Sequence, residues 1–211
     1  MTEISRPVVH VTSKDNPLLV RLRKLAQDGA AYRRGGQVWI EGEHLCMALR
    51  ERGCAALQAV VNEDAWVRPE LRDLAAWAPR VALVPAALFK ACSALESPAP
   101  IGFLIDVPDP GAPRQGVASV VLDRVQDPGN VGSILRSAAA FGVLQVLALK
   151  GTVALWSPKV LRAGMGAHFG LHLVEGVEAG ALASLGVPLV ATSSHAGHLL
   201  PQAPLPQPCT W

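Results

Sequence analysis

Aromatic residues are scarce in this chain. Tyr32 is the only tyrosine, and the five tryptophans are scattered rather than interleaved with basic residues, which argues against a base-stacking strip. Cysteine is sparse as well. Cys46, Cys54, Cys92 and Cys209 show no CxxC spacing, which excludes a disulfide framework and fits reduced core thiols of a cytoplasmic protein. His168 and His172 stand four apart, and His195 and His198 share a loop, but no carboxylate or cysteine completes either pair, so no metal is expected. No apolar run approaches the ~18 residues of a membrane span. The opening MTEISRPVV lacks the basic and apolar regions of a signal peptide, so no membrane partner is expected either. Neither sign of charge dominates: 19 Lys and Arg face 17 Asp and Glu, and a net charge of +2 permits a polyanionic partner without demanding one. GxxxxGK[ST] is missing, and GNVG is not the GxGxxG of dinucleotide binders.

What is present is a chain of 211 residues, half of them hydrophobic, enough for one large or two small domains. It is organised around residues 120–151, which read as strand, loop, helix, strand. Asp127-Pro128-Gly129 is turn chemistry, Asn130 stands where an N-cap belongs, and Gly142 marks the exit. Val131, Ile134, Leu135, Ala138 and Phe141 fall on one helix face, Ser133, Arg136 and Ser137 on another. A βαβ unit results, with its polar corner at the carboxyl end of a strand, where open α/β sheets place ligands.

Upstream, an irregular arm leads to a helix over NPLLVRLRKLAQDG, with Leu18, Leu22, Leu25 and Ala26 as its apolar stripe. Arg21, Arg23 and Lys24 lie opposite, and Arg33 and Arg34 follow in the next loop. These five are either a solvated face or a phosphate-contacting surface. Strands and helices then alternate to residue 107, predicting a small α/β domain. PDPGAPRQG, residues 108–116, is an expected linker, and a second domain fills 117–211. Its predicted elements include a helix over SPKVLRAGMGAHFG, a strand LHLVEG, a helix near 179–185 and a strand VPLVATS. CTW at 209–211 looks like a strand just beginning, so the domain is expected to be C-terminally truncated.

The chemistry is expected at two helix entrances. In the second, Ser157 caps, Pro158 takes the first position, and Lys159 and Arg162 share a face. Amides of two helix N-termini together with Arg136, Lys159 and Arg162 suit phosphates or a developing alkoxide, whereas a pair of capped surface helices with solvated cations is the plainer alternative.

DRVQDPGNVGSILRSAAAFGV resembles the first motif of the SpoU/TrmH-type RNA 2′-O-ribose methyltransferases of the SPOUT superfamily, and SPKVLRAGMGAHFGLHL resembles their second. KDNPLLVRLRKL with YRRGGQVWIEGEHL is similar to the ribosomal-protein-like substrate-binding domain that precedes catalysis in many members. The resemblance implies an α/β substrate-binding domain followed by a parallel-sheet α/β methyltransferase domain. It also implies S-adenosylmethionine as cofactor, ribosomal or transfer RNA as partner, and a homodimer. Asn130 and Arg136 match the positions that act on the acceptor; Lys159 and Arg162 would orient RNA. Thr192, Ser193 and Gly197 in ATSSHAG match the first cofactor loop. The third motif, which builds the family's knot, most of its cofactor site and part of its dimer contact, has no counterpart before Trp211. An active methyltransferase and a non-catalytic RNA-binding derivative both follow from the resemblance.

Overall fold

The computed structural model describes residues 7–193, 195 and 199–211. The first half opens with β1 (Val8–His10), a strand that pairs in parallel with β4 (Val81–Val84), where the sequence led us to expect only an irregular arm. Helices α1 (Pro17–Gln27) and α2 (Tyr32–Gly35) follow, then β2 (Gln37–Glu41), α3 (Glu43–Glu51), β3 (Gln58–Asn62) and α4 (Pro69–Ala75). After β4 come α5 (Ala86–Ala91) and β5 (Ile101–Asp106). The sheet order is β1-β4-β3-β5-β2, with β5 antiparallel to both its neighbours and the rest parallel. The apolar runs VALV and IGFLI fill central positions because strands covered on both faces need no alternation. On α1 the buried stripe is Leu19, Leu22, Leu25 and Ala26, with Leu18 only half-buried, one position off the expected register.

The second half is the predicted βαβ unit extended by one strand. β6 (Ser119–Leu122), β7 (Gln145–Leu149) and β8 (His172–Val177) form a parallel sheet in that order, joined by α6 (Pro128–Ala140) and α7 (Pro158–Gly164). On the free side of β6, Thr210 bridges Ser119 and also Leu189, so CTW lies between β6 and residues 188–190. The strand expected over 187–193 is reduced to that bridge, because only residues 188–190 meet a partner. The helix expected near 179–185 is a 3₁₀ segment: no side chain caps it, and Gly180 weakens its first turn.

Residues 107–116 run without regular structure over the seam between the halves. Fully buried Gln145 holds them there: its carboxamide accepts from the Arg114 amide at 2.9 Å and donates to the Arg114 carbonyl at 2.8 Å and to Ser119 Oγ at 2.7 Å. One cluster of buried apolar side chains continues across the seam, joining Leu45, Leu49 and Ile105 with Leu122, Val131, Leu135, Val160 and Leu161. Leu147, Val174, Val177 and Leu185 form a smaller cluster in the second half. No helix among the described residues is long and apolar enough to cross a membrane.

Candidate functional site

The entrance to α6 is built one turn earlier than the sequence suggested. Asp127, not Asn130, is the N-cap; its carboxylate accepts from the Asn130 amide at 2.7 Å. Pro128 decides this, since its fixed φ and missing N–H suit the first helical position and leave Asp127 as the capping residue. Asn130 therefore sits inside the first turn, exposed, and its carboxamide bonds to no described residue. The Asn130 amide is taken by the Asp127 carboxylate, Pro128 has no N–H to offer, Val131 begins the regular helical ladder on the Asp127 carbonyl, and a carboxylate stands at the positive end of the helix. The expected cradle of free amides is thereby reduced at α6.

Arg136 lies on the exposed surface of α6 and makes no hydrogen bond or ion pair with a described residue. Six positions separate it from Asn130, about 9 Å of rise and roughly 120° around the helix axis, so the two project from adjoining rather than shared faces of α6. Phe141, expected on the buried face, is instead 86% exposed; it follows the last helical residue, where the 3.6-residue period no longer sets direction.

Helices α6 and α7 touch at their backbones. A Cβ on Gly132 would stand 2.3 Å from Ala163 Cβ and 2.8 Å from the Gly164 amide. Gly132 thus serves the close crossing of the two helices. Helix α7 ends at Gly164 instead of running to 170, because Met165 and Gly166 take left-handed conformations with φ of 47° and 89°. The predicted Ser157 cap is present, its hydroxyl accepting from the Val160 amide at 3.4 Å. Lys159 is exposed and Arg162 half-buried against the first half, lining a small cavity with Trp39 and Glu41. Burial raises the pKa of Glu41, opposed by a hydrogen bond donated from Ser93 Oγ at 2.5 Å, by the Ala99 backbone and by the charge of Arg162.

The loop between β7 and α7, residues 150–157, is anchored at several points. The Thr152 hydroxyl donates to the Leu122 carbonyl at 2.8 Å, and Gln126 Nε2 donates to the Gly151 carbonyl. His168 bonds through Nε2 to the Leu155 carbonyl at 2.9 Å, which makes Nε2 the protonated nitrogen. Burial holds its pKa down at about 4, so the ring is neutral, and it lies tilted against Trp156 with ring centroids 5.2 Å apart. His172 bonds the Ala112 carbonyl at 3.2 Å. Glu175 Oε1 accepts from the Leu155 amide at 2.9 Å, and the same carboxylate accepts from Tyr32 and Arg33 of the first half.

Of the basic residues expected to contact RNA, Arg21, Lys24 and Arg34 line one cleft of about 770 Å³ together with Asp15 and Gln37. Arg23 reaches elsewhere, donating to the Lys14 carbonyl at 2.8 Å, and Arg33 is paired with Glu175 across the seam. Arg34 is paired with Asp28 at 2.5 Å. Thr192 and Ser193 are exposed just beyond the Leu189 bridge; Gly197 lies outside the described residues. Sequence reasoning missed Asp127, whose signal was the proline after it, and Glu175, which carries no local signal because its side-chain partners Tyr32 and Arg33 lie more than a hundred residues away.

Residues 118–211 match the model of the SpoU rRNA Methylase family. A crystal structure of an RNA 2′-O ribose methyltransferase superimposes with a TM-score of 0.75 at 30% identity, covering 96% of this chain and 80% of that one. An AdoMet-bound rRNA methyltransferase from Sinorhizobium meliloti gives a TM-score of 0.74 at 25% identity over 89% of this chain and 73% of that one. Among curated proteins, mitochondrial rRNA methyltransferase 3 of Mus musculus is 58% identical over 59 residues, 28% of this chain and only 14% of the mouse protein. The mitochondrial location of that relative overturns the cytoplasmic placement expected above. Unpaired cysteines do not specify a compartment.

Proposed function

The chain belongs to the SpoU family of RNA methyltransferases, and on that premise we propose that it transfers a methyl group to a ribose 2′-hydroxyl of RNA. The observation that carries this reading is the polar surface of α6: Asn130 and Arg136 are both exposed and uncommitted, on a helix held rigidly by its Asp127 cap and by backbone contact with α7. An uncommitted carboxamide can orient a hydroxyl by donating to it or accepting from it. Arg136 stays cationic at any working pH, so it is not a base. Its part is to hold the neighbouring phosphate and to stabilise the oxyanion as the 2′-hydroxyl loses its proton. Lys159 and Arg162 extend the positive surface along α7, and the cleft of Arg21, Lys24 and Arg34 in residues 1–107 binds RNA remote from the reacting ribose. Residues 108–116 are the linker between that substrate-binding unit and the methyltransferase unit, 117–211.

S-adenosylmethionine, when bound, supplies an electrophilic methyl group. The donor set beyond the sheet suits an adenosyl ligand rich in hydroxyls and ring nitrogens. Thr192 is exposed with no partner among the described residues, and Ser193 stands beside it. Thr210 Oγ1, on the segment bridged to Leu189, is buried without a hydrogen-bond partner among the described residues. Thr192 and Ser193 would hold the adenosyl group. A homodimer belongs to the same reading. Its support is an exposed apolar groove of about 400 Å³ lined by Ile134, Phe141, Val143 and Trp211, which a second copy would cover.

The test is incubation with methyl-labelled donor and ribosomal or transfer RNA, followed by alkaline hydrolysis. A methylated 2′-oxygen cannot attack the adjacent phosphate, so the label should emerge in alkali-resistant dinucleotides. Label released in mononucleotides would place the methyl on a base and overturn the ribose reading.

A further inference from the structure

Glu175 lies on β8 at an irregularity in the sheet. It pairs with Ala148, yet the next pair is Leu149 with Val177, so Gly176 is an extra residue accommodated at φ +70°. Bulges of this kind re-aim a side chain. Here the side chain so placed accepts from three donors that belong to different parts of the molecule. Tyr32 Oη donates to Oε2 at 2.5 Å and Arg33 Nη2 to Oε1 at 2.9 Å, both from α2 in the first half; the Leu155 amide donates to Oε1 at 2.9 Å from the loop that leads into α7. The Leu155 carbonyl is held at the same time by His168. Leu155 is thus fixed from both sides of its backbone, on one side by a carboxylate that also grips the RNA-binding half.

We propose that Glu175, with Tyr32 and Arg33, is a positioning latch that sets the register between the RNA-binding half and the loop carrying Lys159 and Arg162 on α7. This rests on the methyltransferase reading above. The latch touches neither RNA nor donor; it determines whether RNA held in the Arg21, Lys24 and Arg34 cleft delivers its ribose to α6. Arg33 accordingly acts through the carboxylate, in contrast to the RNA contact that its sequence position suggested. Displacement of a reacting group by about 1 Å costs on the order of a hundredfold in rate, so partial loosening should cost about tenfold.

The variants are Tyr32→Phe, which deletes one donor and keeps the ring, Glu175→Gln, which keeps shape and removes charge, and Arg33→Lys as the conservative change. Two readouts are taken on the whole chain: hydrogen exchange of the amides at 152–156, and methyl transfer resolved into kcat and RNA affinity. Tyr32→Phe should raise exchange in that loop several-fold although the substitution lies in the other half. It should lower kcat by about tenfold while RNA affinity changes less than twofold. Arg33→Lys should retain most of the rate. Unchanged loop exchange in both Tyr32→Phe and Glu175→Gln would overturn the latch. So would a loss of RNA affinity in Arg33→Lys with kcat preserved, since that makes Arg33 an RNA contact. A wild-type chain without methyl transfer sinks the methyltransferase reading, whereas the exchange experiment still decides the latch.

Discussion

Arg136 and His168 show what single side chains contribute at opposite extremes of burial. Arg136 is exposed and unpaired among the described residues, so its whole guanidinium is available to a substrate. Arg136→Lys keeps the charge but loses the planar fork that grips phosphate and oxyanion together. It should lose most of the methyl-transfer rate, by roughly 10²-fold or more, with little change in melting temperature. Wild-type turnover in that variant would refute the electrostatic role. His168 is buried and neutral, its pKa lowered from 6.5 to about 4 by burial. The unfolded chain takes up a proton at 6.5 that the folded one refuses until about 4, so stability is fully present above 6.5 and falls as pH drops between those values. A shift of that size is worth roughly 3 kcal/mol across the window. Urea titrations from pH 7 to 4 should show His168→Gln with a flatter pH dependence than wild type over the same interval; parallel curves would deny His168 that share. Asn130 and Arg136 stood out in the sequence because their spacing resembles a motif, and the structure leaves both exposed. The cap was not legible, since Asp127 and Asn130 are both good caps and only the φ of the intervening Pro128 separates them.

Between elements, the decisive contact is that of α6 on α7. Gly132→Ala adds one methyl where Ala163 Cβ already stands 2.3 Å away and backbone atoms lie just beyond, so the helices must part. Overpacking of this kind costs about 1–3 kcal/mol, outweighing the ~1 kcal/mol by which alanine is the better helix former. Chemical denaturation should find a net loss of stability, and methyl transfer should fall as well because α7 carries Lys159 and Arg162. A stabilised variant would mean that the crossing relaxes freely. Strand and helix alternation was legible along residues 37–106 and 119–149, where apolar runs and Gly or Pro punctuation agree. It failed where long-range pairing decides. β1 exists because β4 offers an edge to Val8–His10, and the strand at 187–193 shrinks because only CTW offers a partner. The expected continuity of α7 failed on Met165, a residue whose left-handed backbone no propensity foretells.

Across the whole molecule, the question is how a chain of net charge +2 would hold the RNA proposed for it. The answer lies in which cations are already engaged. Among the described residues, Arg33 is neutralised by Glu175 and Arg34 by Asp28, whereas Arg21 bonds only the uncharged Gln37 and Lys24 forms no ion pair. Each phosphate contact made by a free cation releases counterions and steepens the fall of affinity with salt, by close to one unit of log-log slope. Arg21→Ala and Lys24→Ala should therefore each reduce the salt slope of RNA binding by about one, and weaken binding to all sequences alike. Arg34→Ala should change it less, because Arg34 is already engaged by Asp28 and has less of its charge to give to a phosphate. Filter binding from 50 to 300 mM salt distinguishes these cases. Equal slopes in wild type, Arg21→Ala and Lys24→Ala would move the RNA off this cleft and onto α7, leaving Lys159 and Arg162 as the cations that carry the affinity.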